Sequence, residues 1–108
     1  MIDCRDPQSL VAFWSEIAGV EAEHFYPDYI FTTKIPGNNI RLAFQRVPEA
    51  KAVKNRLHID LGHTDPEALA AKVTALGGSR LADHGSGEGA WIVLADPEGN
   101  EFCVSQLH

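Results

Sequence analysis

Two short stretches alternate apolar residues with side chains that move protons or bind ions. They are Leu57-His58-Ile59-Asp60-Leu61 and Glu101-Phe102-Cys103-Val104-Ser105. Period-two alternation marks a strand that packs one face only. His58 and Asp60 should therefore share the open face of one strand, and Glu101, Cys103 and Ser105 that of another. The same rule turns Arg41, Ala43 and Gln45 away from the packing side formed by Ile40, Leu42 and Phe44, and turns Asp3 away from Ile2 and Cys4. An imidazole titrates near neutrality and suits proton transfer. A carboxylate set among apolar residues, as Glu101 is, can serve as a base, and an arginine can clamp an oxyanion. Burying such a set without partners would cost on the order of several kcal/mol. A solvent-filled pocket accounts for it better.

Each residue also has a structural reading. His58 is either a strand histidine bracing the pocket wall or a general acid/base. Cys103 is a small buried apolar residue unless a cation lowers its pKa, and no such cation is evident in the sequence. Arg41 belongs to the pocket or to an exposed edge, and Glu101 to the site or its rim. Trp91 fills core or caps the pocket, whereas Phe13 and Trp14 read as core. His24, His63 and His84 stand near element ends and read as solvated, with His84 opening a glycine-rich loop that could form a flap. Gly85, Gly87 and Gly89 lack the strand before and helix after that a phosphate loop needs. No Ser-His-Asp constellation is evident.

The elements that position these residues come twice. Asp6-Pro7 and Asp65-Pro66 each place an N-cap before a proline at the first helical position. Leu10, Phe13, Trp14 and Ile17 then form one apolar helical face ending at Gly19, and Leu69, Val73 and Leu76 form another ending at Gly77-Gly78. An Ile-Asp pair precedes each copy. Strands are predicted over 2–5, 20–25, 29–35 and 40–47, then over 56–61, 79–82, 90–94 and 102–106. Pro36-Gly37-Asn38-Asn39 and Asp96-Pro97-Glu98-Gly99-Asn100 make the turns. The order is strand-helix-strand-strand-strand, twice, in modules of about 1–48 and 55–108 within a single domain, 1–108.

With 108 residues, 44% hydrophobic and 22% charged, the chain has an ordinary globular composition. A net charge of −6 without a basic patch argues against nucleic-acid binding. No apolar run reaches membrane-spanning length and no signal segment leads the chain, so a cytoplasmic protein that binds no membrane is expected. Cys4 and Cys103 read as free thiols in strands.

The repeat, the Asp96–Asn100 turn running into Glu101-Phe102-Cys103-Val104, the Phe13-Trp14 pair and the Leu57–Asp60 strand together resemble the vicinal oxygen chelate superfamily. Within it they resemble the glyoxalase/bleomycin-resistance/dioxygenase group. The resemblance implies an α+β fold in which two βαβββ modules form a curved mixed sheet around a cavity, helices outside. It implies a homodimer, for which an open sheet edge is also suited. Metal-dependent members take one ligand from the first and one from the last strand of each module. Here those positions fall on His58 and Cys103, a pair suited to a divalent ion such as zinc, nickel or iron. The first module offers Met1 and then Arg41 or Ala43, none of them a good ligand. The implied activity is glyoxalase-like, a lyase or isomerase acting on a small, oxygen-rich, anionic substrate through His58 and Glu101, with Asp3, Arg41, Gln45, Asp60, Trp91 and Cys103 around it. The other implied role is a metal-free binding protein that sequesters a ligand, as drug-resistance members do.

Overall fold

A computed structural model describes residues 1–107, all but the side chain of Glu88. The chain forms two compact units that divide between Lys51 and Ala52. The first comprises β1 (Ile2–Cys4), α1 (Pro7–Ala18), β2 (Ala22–Phe25), β3 (Tyr29–Lys34) and β4 (Arg41–Arg46). The second comprises β5 (Ile59–His63), α2 (Pro66–Ala75), β6 (Ser79–His84), β7 (Trp91–Ala95) and β8 (Glu101–Gln106), with a short 3₁₀ turn at Gly87–Gly89. Each unit holds a four-stranded mixed sheet, in the order β1-β4-β3-β2 and β5-β8-β7-β6. The first and last strands of each are parallel and the remaining pairs antiparallel. The fold is α+β.

Both helices begin as their sequences dictate. The Asp6 carboxylate accepts from the Ser9 backbone N–H at 3.2 Å and the Asp65 carboxylate from that of Ala68 at 3.1 Å, each with proline next in the chain. Gly19 ends α1 in the left-handed conformation, φ 68°, which costs a residue without a Cβ little. α1 turns Leu10, Val11, Phe13 and Trp14 onto the sheet carrying Ile30 and Phe44, and α2 turns Leu69, Ala70 and Val73 onto Leu94, Phe102 and Val104. Thr32 is the buried hydroxyl of the first unit. It donates to the Leu42 carbonyl at 3.0 Å and accepts from the Leu42 N–H at 3.1 Å, holding β3 to β4 where their ladder slips.

Asp96, 2% exposed, closes the turn into β8. One of its oxygens accepts from the backbone N–H groups of Glu98 and Asn100, both at 2.9 Å, and the other from the Asn100 amide at 2.9 Å. Gly99 supplies the positive φ, 87°, that the turn requires. This fixes the register that sets Val93 beside Cys103 and Trp91 beside Ser105.

Two exposed carboxylates tie helices down. Hydrogen bonds from the Ser9 side chain and backbone hold Asp6 below the usual carboxylate range, and those from Arg80 do the same for Glu67. A carboxyl whose folded-state pKa is depressed contributes stability above its unfolded value and loses it as pH falls through the folded one. The melting midpoint is therefore expected to fall below about pH 4. In Asp6→Asn, which keeps an N-cap without the charge, that acid-range decline should be shallower. An unchanged slope would remove Asp6 from the account.

Candidate functional site

The face of the second sheet turned away from α2 gathers several of the expected site residues. Phe102 and Val104 are buried toward the helix, which leaves Glu101, Cys103 and Ser105 on the other side, as alternation predicts. Two rungs organise this face. Asp60, Cys103, Val93 and Ala82 form one, and Gly62, Ser105, Trp91 and His84 form the next. Between them lies a groove of about 460 Å³ lined by Asp60, Trp91, Cys103, Ser105 and Gln106 together with the backbone around Gly89 and Ala90.

Trp91 stands 42% exposed at this groove, and its ring stacks on His84 with centroids 5.1 Å apart and planes 16° from parallel. His84 is exposed, as expected, but belongs to the strand and not to the loop. The strand instead continues past Ala82 to His84, because each added residue gains a partner on β7. A hairpin register carried through the glycine-rich segment would have placed the two rings side by side. Periodicity alone could not, since Trp91 and Val93 on one face are as apolar as Ile92 and Leu94 on the other.

His58 lies one residue before β5 rather than inside it, so the predicted strand 56–61 is displaced toward Ile59–His63. Leu57, expected to pack, is 81% exposed. The Cys103 Sγ sits 3.8 Å from His58 Nδ1. His58 Nε2 is buried and has no hydrogen-bond partner among the described residues. Burial raises the Cys103 thiol above its ordinary pKa, and the neighbouring Asp60 carboxylate raises it further by charge and by hydrogen bonding, against a smaller opposing pull from Lys54. The thiol is therefore protonated at neutral pH and is no ready nucleophile.

The remaining expected residues are placed as follows. Glu101 accepts from the Asn55 backbone N–H at 3.0 Å, and Asn55 also reaches Asn100 at 3.3 Å, so this carboxylate ties the segment before β5 to the start of β8. In the first unit Asp3 and Gln45 are neighbours on β1 and β4. Arg41 is exposed and paired with Glu23 at 3.4 Å. The ladders also settle which residue matches Cys103. Ile2 pairs with Phe44 as Ile59 pairs with Phe102, so Met1, Asp3 and Gln45 are the counterparts of His58, Asp60 and Cys103. Gln45 takes the position for which the sequence offered Arg41 or Ala43.

Among the described residues no three His, Cys, Asp or Glu side chains form a group able to hold a metal ion. Within the second unit His58 and Cys103 meet each other at 3.8 Å. Two donors fall short of the three or four that a resident zinc or similar ion takes from protein. Within the second unit these two donors do not by themselves fit a resident divalent ion. No helix among the described residues is long and apolar enough to cross a membrane.

Solved structures share this architecture. A glyoxalase/bleomycin resistance protein/dioxygenase family enzyme from Burkholderia phytofirmans PsJN superposes with a TM-score of 0.76 at 19% identity, covering 99% of this chain and 94% of its own. The fosfomycin resistance protein FosX from Mesorhizobium loti gives 0.76 at 18% identity, over 99% and 87%. FosX from Listeria monocytogenes, crystallised with Mn(II) and sulfate, gives 0.80 at 16% identity, over 99% and 86%. Likeness at such identities shows the fold alone. No curated protein matches the chain in sequence. Residues 1–105, however, match the sequence model of the glyoxalase-like domain, and the chain belongs to that family.

Proposed function

We propose that this glyoxalase-like protein binds a planar small molecule, neutral or cationic, against Trp91 in the groove of the second unit. The half-exposed Trp91, backed by His84 at 5.1 Å, is the observation that carries the reading. A ring held flat by a stacked neighbour offers its free face at little entropic cost. Asp60 is the one charged residue among the described lining residues, and its effect on the Cys103 thiol exceeds that of nearby Lys54. That charge distribution turns the expectation of an anionic ligand toward a neutral or positively charged one, with Ser105 and Gln106 as polar contacts. Another FosX neighbour, from Listeria monocytogenes, was crystallised with Mn(II) and a dihydroxypropylphosphonic acid. An anion of that kind would meet a carboxylate here. Of the two roles implied by the sequence, metal-free binding is thus the better supported, since Glu101 and Arg41 are both engaged elsewhere.

Benzamidinium, benzamide and benzoate share one ring and differ in charge, so together they test the reading. Tryptophan fluorescence should respond most to benzamidinium, less to benzamide and least to benzoate. Trp14, 1% exposed, contributes a constant background. Asp60→Asn should erase the preference for the cation by roughly 3- to 10-fold while leaving benzamide unaffected. Equal responses to all three in the parent protein would defeat the assignment of charge. No response to any would defeat the groove.

A further inference from the structure

We infer that the groove selects an arylalkylammonium ion, an aromatic ring joined to a cationic nitrogen through a short hydrocarbon spacer. Such selectivity rests on the reading of the groove as a ligand site, to which it adds the position of the charge. Trp91 and Asp60 both line the groove but come from strands that are not neighbours, since the order is β5-β8-β7-β6. They also stand on successive rungs, Asp60 beside Cys103 and Trp91 beside Ser105. His84 comes from β6, on the far side of β7, and its ring covers the Trp91 face turned that way. The free face of the indole is therefore the one turned toward β8. A ligand ring stacked on it lies above Ser105.

The spacing of the sheet sets the length of the spacer. Ser105 on β8 and Asp60 on β5 are diagonal neighbours on one face. Such positions on adjacent strands are about 8 Å apart. A charge-assisted hydrogen bond to the Asp60 carboxylate takes up about 2.8 Å of that. Roughly 5 Å remains between the centre of the ligand ring and its cationic nitrogen, a separation that about two or three methylenes span. A charge fixed directly to the ring, as in benzamidinium, interacts with Asp60 without touching it. Cys103 shares the Asp60 rung and lines the groove, so the spacer passes a thiol, which behaves as a small apolar group. A hydrocarbon spacer fits that path better than a polar one.

Calorimetry with a series of phenylalkylammonium ions, from benzylammonium to the phenylpentyl ion, tests this when each is paired with its phenylalkanol. The alcohols carry the same ring and spacer without the charge. The ratio of ammonium to alcohol affinity thus separates contact with Asp60 from the apolar gain of each added carbon. That ratio should be largest at about two or three methylenes and exceed its benzylammonium value by roughly 3- to 5-fold, the size of an exposed ion pair. In Asp60→Asn it should be the same at every length. In Asp60→Glu, whose carboxylate reaches one carbon further, the maximum should move to the next shorter spacer. Asp60 is exposed, so both replacements keep the fold. A ratio that is flat in the parent, that peaks at benzylammonium, or that keeps its maximum in Asp60→Asn would overturn the inference and leave the groove standing. Absence of binding by every member of both series would defeat the groove itself, and the selectivity with it.

Discussion

Replacing Trp91 with alanine is expected to weaken benzamidinium binding by roughly 10- to 100-fold while the melting midpoint stays close to that of the parent protein. The size follows from what the indole does. It supplies the apolar face of the groove, and His84 behind it keeps that face in one orientation. Removing it takes away the stacking partner and leaves His84 free to turn. The small effect on stability follows from exposure, because at 42% Trp91 adds little to the core. Trp91→Phe should keep much of the affinity, since a smaller ring still stacks. Trp14 provides the contrast within one chain. It is 1% exposed and meets Phe13 edge to face at 5.4 Å, so Trp14→Ala should damage the fold. Comparable affinity in Trp91→Ala and the parent, measured by calorimetry, would place the ligand elsewhere.

The second large effect concerns Phe44 and Phe102, which occupy the same place in the two units. Phe44 lies between Ile2 and Ile30, and Phe102 between Ile59 and Leu94, each under its own helix and at most 1% exposed. Truncating either to alanine removes the ring's transfer free energy and leaves a cavity that a small sheet-and-helix unit fills poorly. A loss of about 3–5 kcal/mol is expected for each. Against a total stability on the order of 5–15 kcal/mol, that is enough to populate unfolded chains at 37 °C. Urea unfolding followed by circular dichroism measures it. A loss below about 1 kcal/mol at either position would mean that the ring is not the centre of its unit.

Much of this architecture is written locally. Asp6-Pro7, Asp65-Pro66, Gly19 and the Asp96–Asn100 turn each act over a few residues, and each does what its chemistry requires. The open face of β8 is equally legible, because Phe102 and Val104 leave no doubt about which side packs. Pairing between strands is less so. The start of β5 is set by its partner on β8 and by the Asn55–Glu101 tether, neither of which periodicity can see. Gln45 rather than Arg41 or Ala43 matches Cys103 for the same reason: register is a property of the ladder. Trp91 was ambiguous because both faces of β7 are apolar, and only exposure separates a groove wall from a core residue. The Asp60–Cys103–His58 arrangement lies between these cases. Its members are legible as open-face residues of two strands, but the approach of the His58 ring to the Cys103 thiol depends on segments brought together by folding.

The central claim is that a ligand lies on Trp91 in the second unit. A proton–nitrogen correlation spectrum of the labelled protein, titrated with benzamidinium, tests it most directly. The chain has two tryptophans, so two indole N–H signals report the answer. The account predicts that the Trp91 indole signal moves together with the backbone amides of Cys103, Ser105 and Gln106, while the Trp14 indole stays still. Shifts confined to residues of the first unit, or a motionless Trp91 at saturating probe, would contradict it.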